Sequence, residues 1–223
     1  MGLTMDRCSR VVAALVLGWA CCLGAMAQNP KPRAEVDYAA KLKEAQATPK
    51  ALEDAMKVGR RVAGFCANCH GEGGNSTNPD IPNLAGQNPG YLLDQVRQFA
   101  EGRRKNEFME GMIRALNPEE TIGMVVYFGA QTVLPHRAGT NPAQVAKGRD
   151  LFSKNCFRCH GENGRGNEKF ARIAGQQAGY LTKTIKRYRA GSVQRSDPLM
   201  AAATSLLSDA DVDALAAYIS GME

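Results

Sequence analysis

Beyond residue 27 the 223-residue chain has four cysteines, and in its whole length it has three histidines and one tryptophan. All four of those cysteines lie in two C-x-x-C pairs, so no thiol is left over for a disulfide framework. No stretch alternates apolar and polar residues with period two, which argues against a domain built on a sheet. Neither sign of charge dominates. Residues 28–223 hold 26 lysines and arginines against 21 aspartates and glutamates, a net +5. That excess is too small to make nucleic acid an expected partner. Residues 143–223 carry 12 basic and 8 acidic groups, and residues 58–135 carry 7 and 8. The second half is thus the better docking surface for an acidic partner, or simply a solvated basic face.

The one tryptophan, Trp19, and the other three cysteines belong to a distinct N-terminal stretch. Arg7 and Arg10 precede an uncharged run from Val11 to Ala27 that ends Ala25-Met26-Ala27. A charged start, an apolar run and a small-residue site read as a secretory signal over residues 1–27, cleaved before Gln28. The alternative is a retained anchor, but 17 uncharged residues fall short of the roughly 20 a spanning helix needs. Cys21 and Cys22 raise the thought of a lipoprotein, yet neither has a leucine three residues before it. The chain is therefore expected to be exported.

What is abundant is repetition. Cys66-Ala67-Asn68-Cys69-His70 recurs 90 residues later as Cys156-Phe157-Arg158-Cys159-His160. C-x-x-C-H is the attachment sequence of a c-type haem: the thiols become thioethers on the porphyrin vinyl groups and the histidine lies under the iron. Two intervening residues suit one helical turn, so both sulfurs and the imidazole can address one macrocycle. The expectation is two covalent haem c groups, held by Cys66 and Cys69 and by Cys156 and Cys159. The repeat extends well beyond the motif. Gly59-Arg60-Arg61-Val62 matches Gly148-Arg149-Asp150-Leu151, Leu84-Ala85-Gly86-Gln87 matches Ile173-Ala174-Gly175-Gln176, and Gly90-Tyr91-Leu92 matches Gly179-Tyr180-Leu181.

The local patterns are helical. Leu92, Val96 and Phe99 and their counterparts Leu181, Ile185 and Tyr188 have the i, i+4, i+7 spacing of an amphipathic helix, ended by Gly102 or Gly191. Asn117-Pro118-Glu119-Glu120 and Ser208-Asp209-Ala210-Asp211 read as capping boxes for a last helix in each half. Val125 to Phe128, and Leu215, Tyr218 and Ile219, supply its buried face. Ala34–Ala47 has helix propensity that Pro49 would interrupt. The expected class is all-α, in two tandem domains with one haem each: a partly helical leader at 28–57, a first domain at 58–130, a linker at 131–144 and a second domain at 145–223.

His70 and His160 are expected to give one axial iron ligand apiece. The third histidine, His136, lies in the linker, so two bis-histidine sites cannot be made, and the sixth ligand is methionine, lysine, water or nothing. Met109 follows His70 by 39 residues and Met200 follows His160 by 40, each in what reads as a loop before the last helix. Core filling is the commoner use of methionine, but the matched positions favour ligation. Met112 competes with Met109, and its counterpart, Ala203, is not a methionine.

With these residues in hand, both halves resemble class I cytochrome c domains, and the tandem resembles the dihaem cytochrome c4 family of bacterial periplasmic electron carriers. The resemblance covers about residues 58–223. It implies helices wrapped round each haem and two haems approaching across the domain interface. It also implies a proline ahead of the L-A-G-Q segment whose carbonyl receives the ligand histidine's N–H. Pro82 fits, whereas the second half has Ala171, whose carbonyl can serve the same purpose.

A haem closed on both sides by His and Met has no open position, so the implied function is outer-sphere transfer of single electrons. The expected partners are redox proteins such as a quinol-oxidising complex and a terminal oxidase or reductase. Peripheral contact with the membrane is allowed, and neither nucleic acid nor a small-molecule substrate is expected. Two other readings stand beside it. One is a haem enzyme of peroxidase or thiosulfate-oxidising type, which would need a vacant iron position and acid–base groups; Glu107 and Glu110 flank Met109 but read as solvated carboxylates. The other is a cytochrome subunit of a dehydrogenase or oxidase complex. Zinc binding or thioredoxin-like chemistry is disfavoured by the histidine after each pair and by the lack of a βαβ pattern.

Overall fold

The computed structural model describes residues 36–134, 141–195 and 197–223. The secretory-signal reading, the start of the leader and His136 lie outside the described residues. Helix α1 (Tyr38–Gln46) begins where the Asp37 side chain accepts from the Ala40 N–H, and ends before Pro49. Pro49 opens a new helix, since a proline at the first helical position loses no intrahelical bond. Thr48 caps this helix, α2 (Pro49–His70), which runs unbroken through residue 58 into the first C-x-x-C-H motif. α1 is no detached leader: Leu42 is buried, and Tyr38 and Ala45 pack on the first-half core.

The rest of the first half is α3 (Pro89–Ala100), α4 (Glu107–Arg114) and α5 (Pro118–Gly129). The second half repeats it as α6 (Pro142–Asn155), α7 (Phe157–His160), α8 (Ala178–Arg189), α9 (Pro198–Thr204) and α10 (Asp209–Ser220). No strand occurs among the described residues. Both expected capping boxes form, at Asn117/Glu120 and Ser208/Asp211. α3 and α8 end in matching left-handed turns. Gly102 N–H bonds to Phe99 O and Arg103 N–H to Gln98 O, as Gly191 N–H does to Tyr188 O and Ser192 N–H to Arg187 O.

Each half has its own core. Leu92, Val96 and Phe99 of α3 meet Val62 of α2 and Ile122, Val125 and Phe128 of α5. Leu181 and Ile185 of α8 meet Phe152 of α6 and Val212, Leu215 and Ile219 of α10. Full burial of each such side chain is worth about 1.5–3 kcal/mol. α2 and α5 cross where Gly59 meets Gly123, and α6 and α10 where Gly148 meets Ala214, and there the backbones touch. Residues 36–223 nonetheless pack as one unit. The halves are joined through segments 76–90 and 165–183, whose contacts are nearly reciprocal.

Candidate functional site: a shared cavity between two C-x-x-C-H helices

Each attachment motif is helical, as the spacing requires, and each ends in a glycine with positive φ. At Gly71 (φ 77°) the reason is close approach: a Cβ there would lie 1.9 Å from the carbonyl oxygen of Asn75. The turn that follows brings the chain back over the histidine. His70 Nδ1 is 2.8 Å from the carbonyl oxygen of Pro82, and His160 Nδ1 is 2.8 Å from that of Ala171. A carbonyl only accepts, so Nδ1 carries the proton and Nε2 keeps its lone pair free for a metal. Burial pushes both imidazoles below their ordinary pKa, against the opposing pull of those carbonyls, and so holds them neutral. Burial likewise pushes the Cys156 thiol up to about 11.

Met109 and Met200 lie in short helices, α4 and α9, and not in the loops expected from sequence. Asn106 and Asp197 are the reason: each side chain accepts from the methionine's own N–H at 3.0 Å and nucleates a turn. Both methionines therefore occupy the third position of a capped helix. Both are half-buried, and Met109 packs against the first-half core while Met112, one turn on, is 36% exposed. Of the two flanking carboxylates Glu107 is exposed. Glu110 is buried rather than solvated, tied to Arg114 at 3.0 Å and to the Asn106 N–H at 3.2 Å.

All of Cys66, Cys69, His70, Met109, Cys156, Cys159, His160 and Met200 border one cavity of about 550 Å³. Apolar side chains dominate its walls, among them Leu92, Phe99, Leu181 and Leu215. One feature was not foreseen from sequence: two half-buried guanidiniums on its wall. Arg104 donates to Gln95 Oε1 at 2.9 Å and, across the halves, to the Tyr180 hydroxyl at 3.1 Å. Arg195 donates to the Tyr188 hydroxyl at 2.6 Å, to that of Tyr180 at 3.2 Å and to that of Tyr91 in the other half at 2.7 Å. Neither has a carboxylate partner among the described residues. Burial raises the Tyr180 phenol, but the two guanidiniums more than reverse this and draw it down to about 8. These two half-buried cations sit among phenols, the Gln95 amide and the Phe99 ring, with no carboxylate beside them among the described residues.

This donor set could hold a pair of iron porphyrins: four thiols, two imidazoles with free Nε2, two thioethers, an apolar slot, and cations that could meet the porphyrin carboxylates. Comparison with known proteins agrees. The cytochrome c family model matches residues 145–223. Cytochrome c4 of Thiocapsa roseopersicina is 32% identical over 190 residues, spanning 79% of this chain and 97% of that protein. The chain belongs to the cytochrome c4 family.

The crystal structure of reduced cytochrome c4 from Pseudomonas stutzeri superimposes with a TM-score of 0.68 at 31% identity, over 75% of this chain and 98% of that one. A thiosulfate dehydrogenase electron acceptor from Thiomonas intermedia is 33% identical over 171 residues, 70% of this chain and 78% of that protein. As a cytochrome c4 homologue the chain is a dihaem c-type electron carrier with two covalently attached haem c groups, and its partners are redox proteins. Among the described residues no helix is long and apolar enough to cross a membrane.

Proposed function

We propose that this cytochrome c4 homologue is a periplasmic carrier that moves single electrons between a quinol-oxidising complex or dehydrogenase and a terminal oxidase or reductase. Its domains are residues 58–130, on whose core α1 and the start of α2 also pack, and 145–223, whose first helix already begins at Pro142, joined by a linker from 131 and preceded by a cleaved signal at 1–27. Cys66 and Cys69 hold one haem, and Cys156 and Cys159 the other. His70 with Met109, and His160 with Met200, would ligate the two irons. The observation that carries this is the matched geometry of the halves: a histidine fixed through Nδ1 at 2.8 Å and a methionine at the third position of a capped helix, both on one cavity.

Bound iron porphyrin supplies one-electron exchange between ferrous and ferric states. The chain's residues determine how little else changes. The carbonyls of Pro82 and Ala171 keep each imidazole in one orientation and one tautomer, and the capped helices keep each thioether in place. Ligands that stay put in both oxidation states leave little to reorganise. The apolar walls exclude water, and Arg104 and Arg195 supply positive charge on the side where the halves meet. Buried Glu110, already paired with Arg114, is no free acid or base, which supports a carrier over an enzyme. The relative named as an electron acceptor of thiosulfate dehydrogenase supports a dehydrogenase as one donor.

Ligation is tested by Met109→Ala, Met112→Ala and Met200→Ala. The first and third should each remove half of the weak far-red sulfur-to-ferric band and let carbon monoxide or cyanide bind at one haem. Met112→Ala should leave both properties unchanged; loss of the band in that variant instead would reassign the ligand.

A further inference from the structure

The last residue of each repeated L-A-G-Q or I-A-G-Q segment reaches into the opposite half. Gln87 accepts from the Arg172 N–H at 2.7 Å and donates to the Arg172 carbonyl at 2.8 Å. Gln176 accepts from the Asn83 N–H at 2.7 Å and donates to the Asn83 carbonyl at 3.1 Å. Both glutamines are buried, each 7% exposed. The partners are not arbitrary backbone. The Arg172 N–H belongs to the same peptide unit as the Ala171 carbonyl, which accepts from His160. The Asn83 N–H belongs to that of the Pro82 carbonyl, which accepts from His70.

N–H and C=O of one peptide are conjugated, so an acceptor on the N–H pushes density onto the oxygen. That makes the carbonyl a stronger acceptor for the histidine's Nδ1–H, gives the imidazole more imidazolate character and makes Nε2 a better donor. We propose that Gln87 and Gln176 are crossed positioning residues: each sets the donor strength of the histidine in the opposite half, so that neither iron site is complete within its own domain. The inference rests on His70 and His160 being iron ligands. It adds that the electronic setting of each site is supplied by the other half, through the chain His160 Nδ1–H to Ala171 O, Arg172 N–H to Gln87 Oε1, and its mirror image.

The sign follows. A better imidazole donor favours ferric iron and lowers the reduction potential, so removing the glutamine acceptor raises it, and raises it in the other half. In the holoprotein, Gln87→Met keeps side-chain length without the amide. It should raise the potential of the haem at Cys156 and Cys159 and leave that at Cys66 and Cys69 where it was. Gln176→Met should do the reverse, so either variant alone is a test. Gln87→Glu keeps an acceptor opposite the Arg172 N–H and should return the potential to the wild-type value or below it. Asn88→Ala loosens the same interface elsewhere, where Asn88 donates to Arg165 O and Phe170 O, and should shift neither haem selectively.

Potentials are read site by site from the paramagnetically shifted NMR signals of a stepwise oxidised sample. Faster exchange of the Arg172 amide in Gln87→Met reports loss of the glutamine bond independently of the iron. A shift confined to the variant's own half, equal shifts in both, or no shift would overturn the proposal. If the wild-type spectrum lacks the signals of iron-bound imidazole, the ligand assignment itself falls, and the inference with it. If those signals are present, failure of the crossed pattern falls on the glutamines alone.

Discussion

Gly59→Ala and Gly148→Ala probe the contact on which each haem-bearing helix is seated. A Cβ on Gly59 would lie 2.0 Å from the carbonyl oxygen of Gly123 and 2.6 Å from Cβ of Tyr127; on Gly148 it would lie 2.0 Å from that of Ala214 and 2.7 Å from Cβ of Tyr218. Carbon and a carbonyl oxygen approach to roughly 3.3 Å at best, so the helices must part by on the order of 1 Å. Overpacking a core costs about 1–3 kcal/mol, and the upper end applies because backbone, not a pliable side chain, stands in the way. Alanine returns about 1 kcal/mol of helix propensity. The net loss is about 2 kcal/mol, or about 4–8 °C in the melting of residues 36–223 as one unit. Gly64→Ala is the internal control. It lies in the same α2 helix, with nothing within 4 Å of a new Cβ. That variant should gain up to about 1 kcal/mol, so the two alanines should differ by about 3 kcal/mol. Thermal and denaturant melts of the holoprotein, followed by circular dichroism, measure this. If Gly59→Ala melts at or above wild type, or level with Gly64→Ala, the backbone contact is not what seats the helix.

Three other outcomes follow from the same geometry. Arg104→Met and Arg195→Met each remove a half-buried cation from the cavity wall, so both haem potentials should fall in an optical redox titration; unchanged potentials would mean that the guanidiniums face no haem charge. Ser208→Ala removes the cap of α10 and should cost the second half about 1 kcal/mol in denaturant melts. The Asp211 carboxyl is held well below the usual carboxylate range by hydrogen bonds from Lys147 and then Ser208, so its contribution is present above about pH 4 and lost as pH falls below that. Asp211→Asn should flatten the acid limb of the stability profile, and an unaltered limb would refute the assignment.

The residues that meet on the cavity were legible because covalent haem attachment demands fixed spacing, and because the repeat checks each half against the other. The two terminal caps and the glycine stops at Gly102 and Gly191 were legible because their chemistry is local. The helical setting of Met109 and Met200 was missed because its signal is weak, a single Asn106 or Asp197 before a turn of mixed composition. The buried state of Glu110 was missed because Arg114, one turn on, becomes its partner only once α4 has formed. The arginine–tyrosine cluster had no signal at all. Arg104 sits in the charged run Arg103-Arg104-Lys105, and its partial burial depends on Tyr180 arriving from 76 residues away. Gln87 and Gln176 were noticed only as parts of a repeat. That their amides cross between halves is a property of the docking, which neither half encodes alone.

The claim that both irons are closed by a histidine on one side and a methionine on the other is tested most directly by the far-red absorption of the fully oxidised holoprotein, measured per iron. The account predicts a sulfur-to-ferric band of two equivalents for two irons, with no high-spin fraction. A band of one equivalent or none, or a high-spin haem at either site, would contradict it.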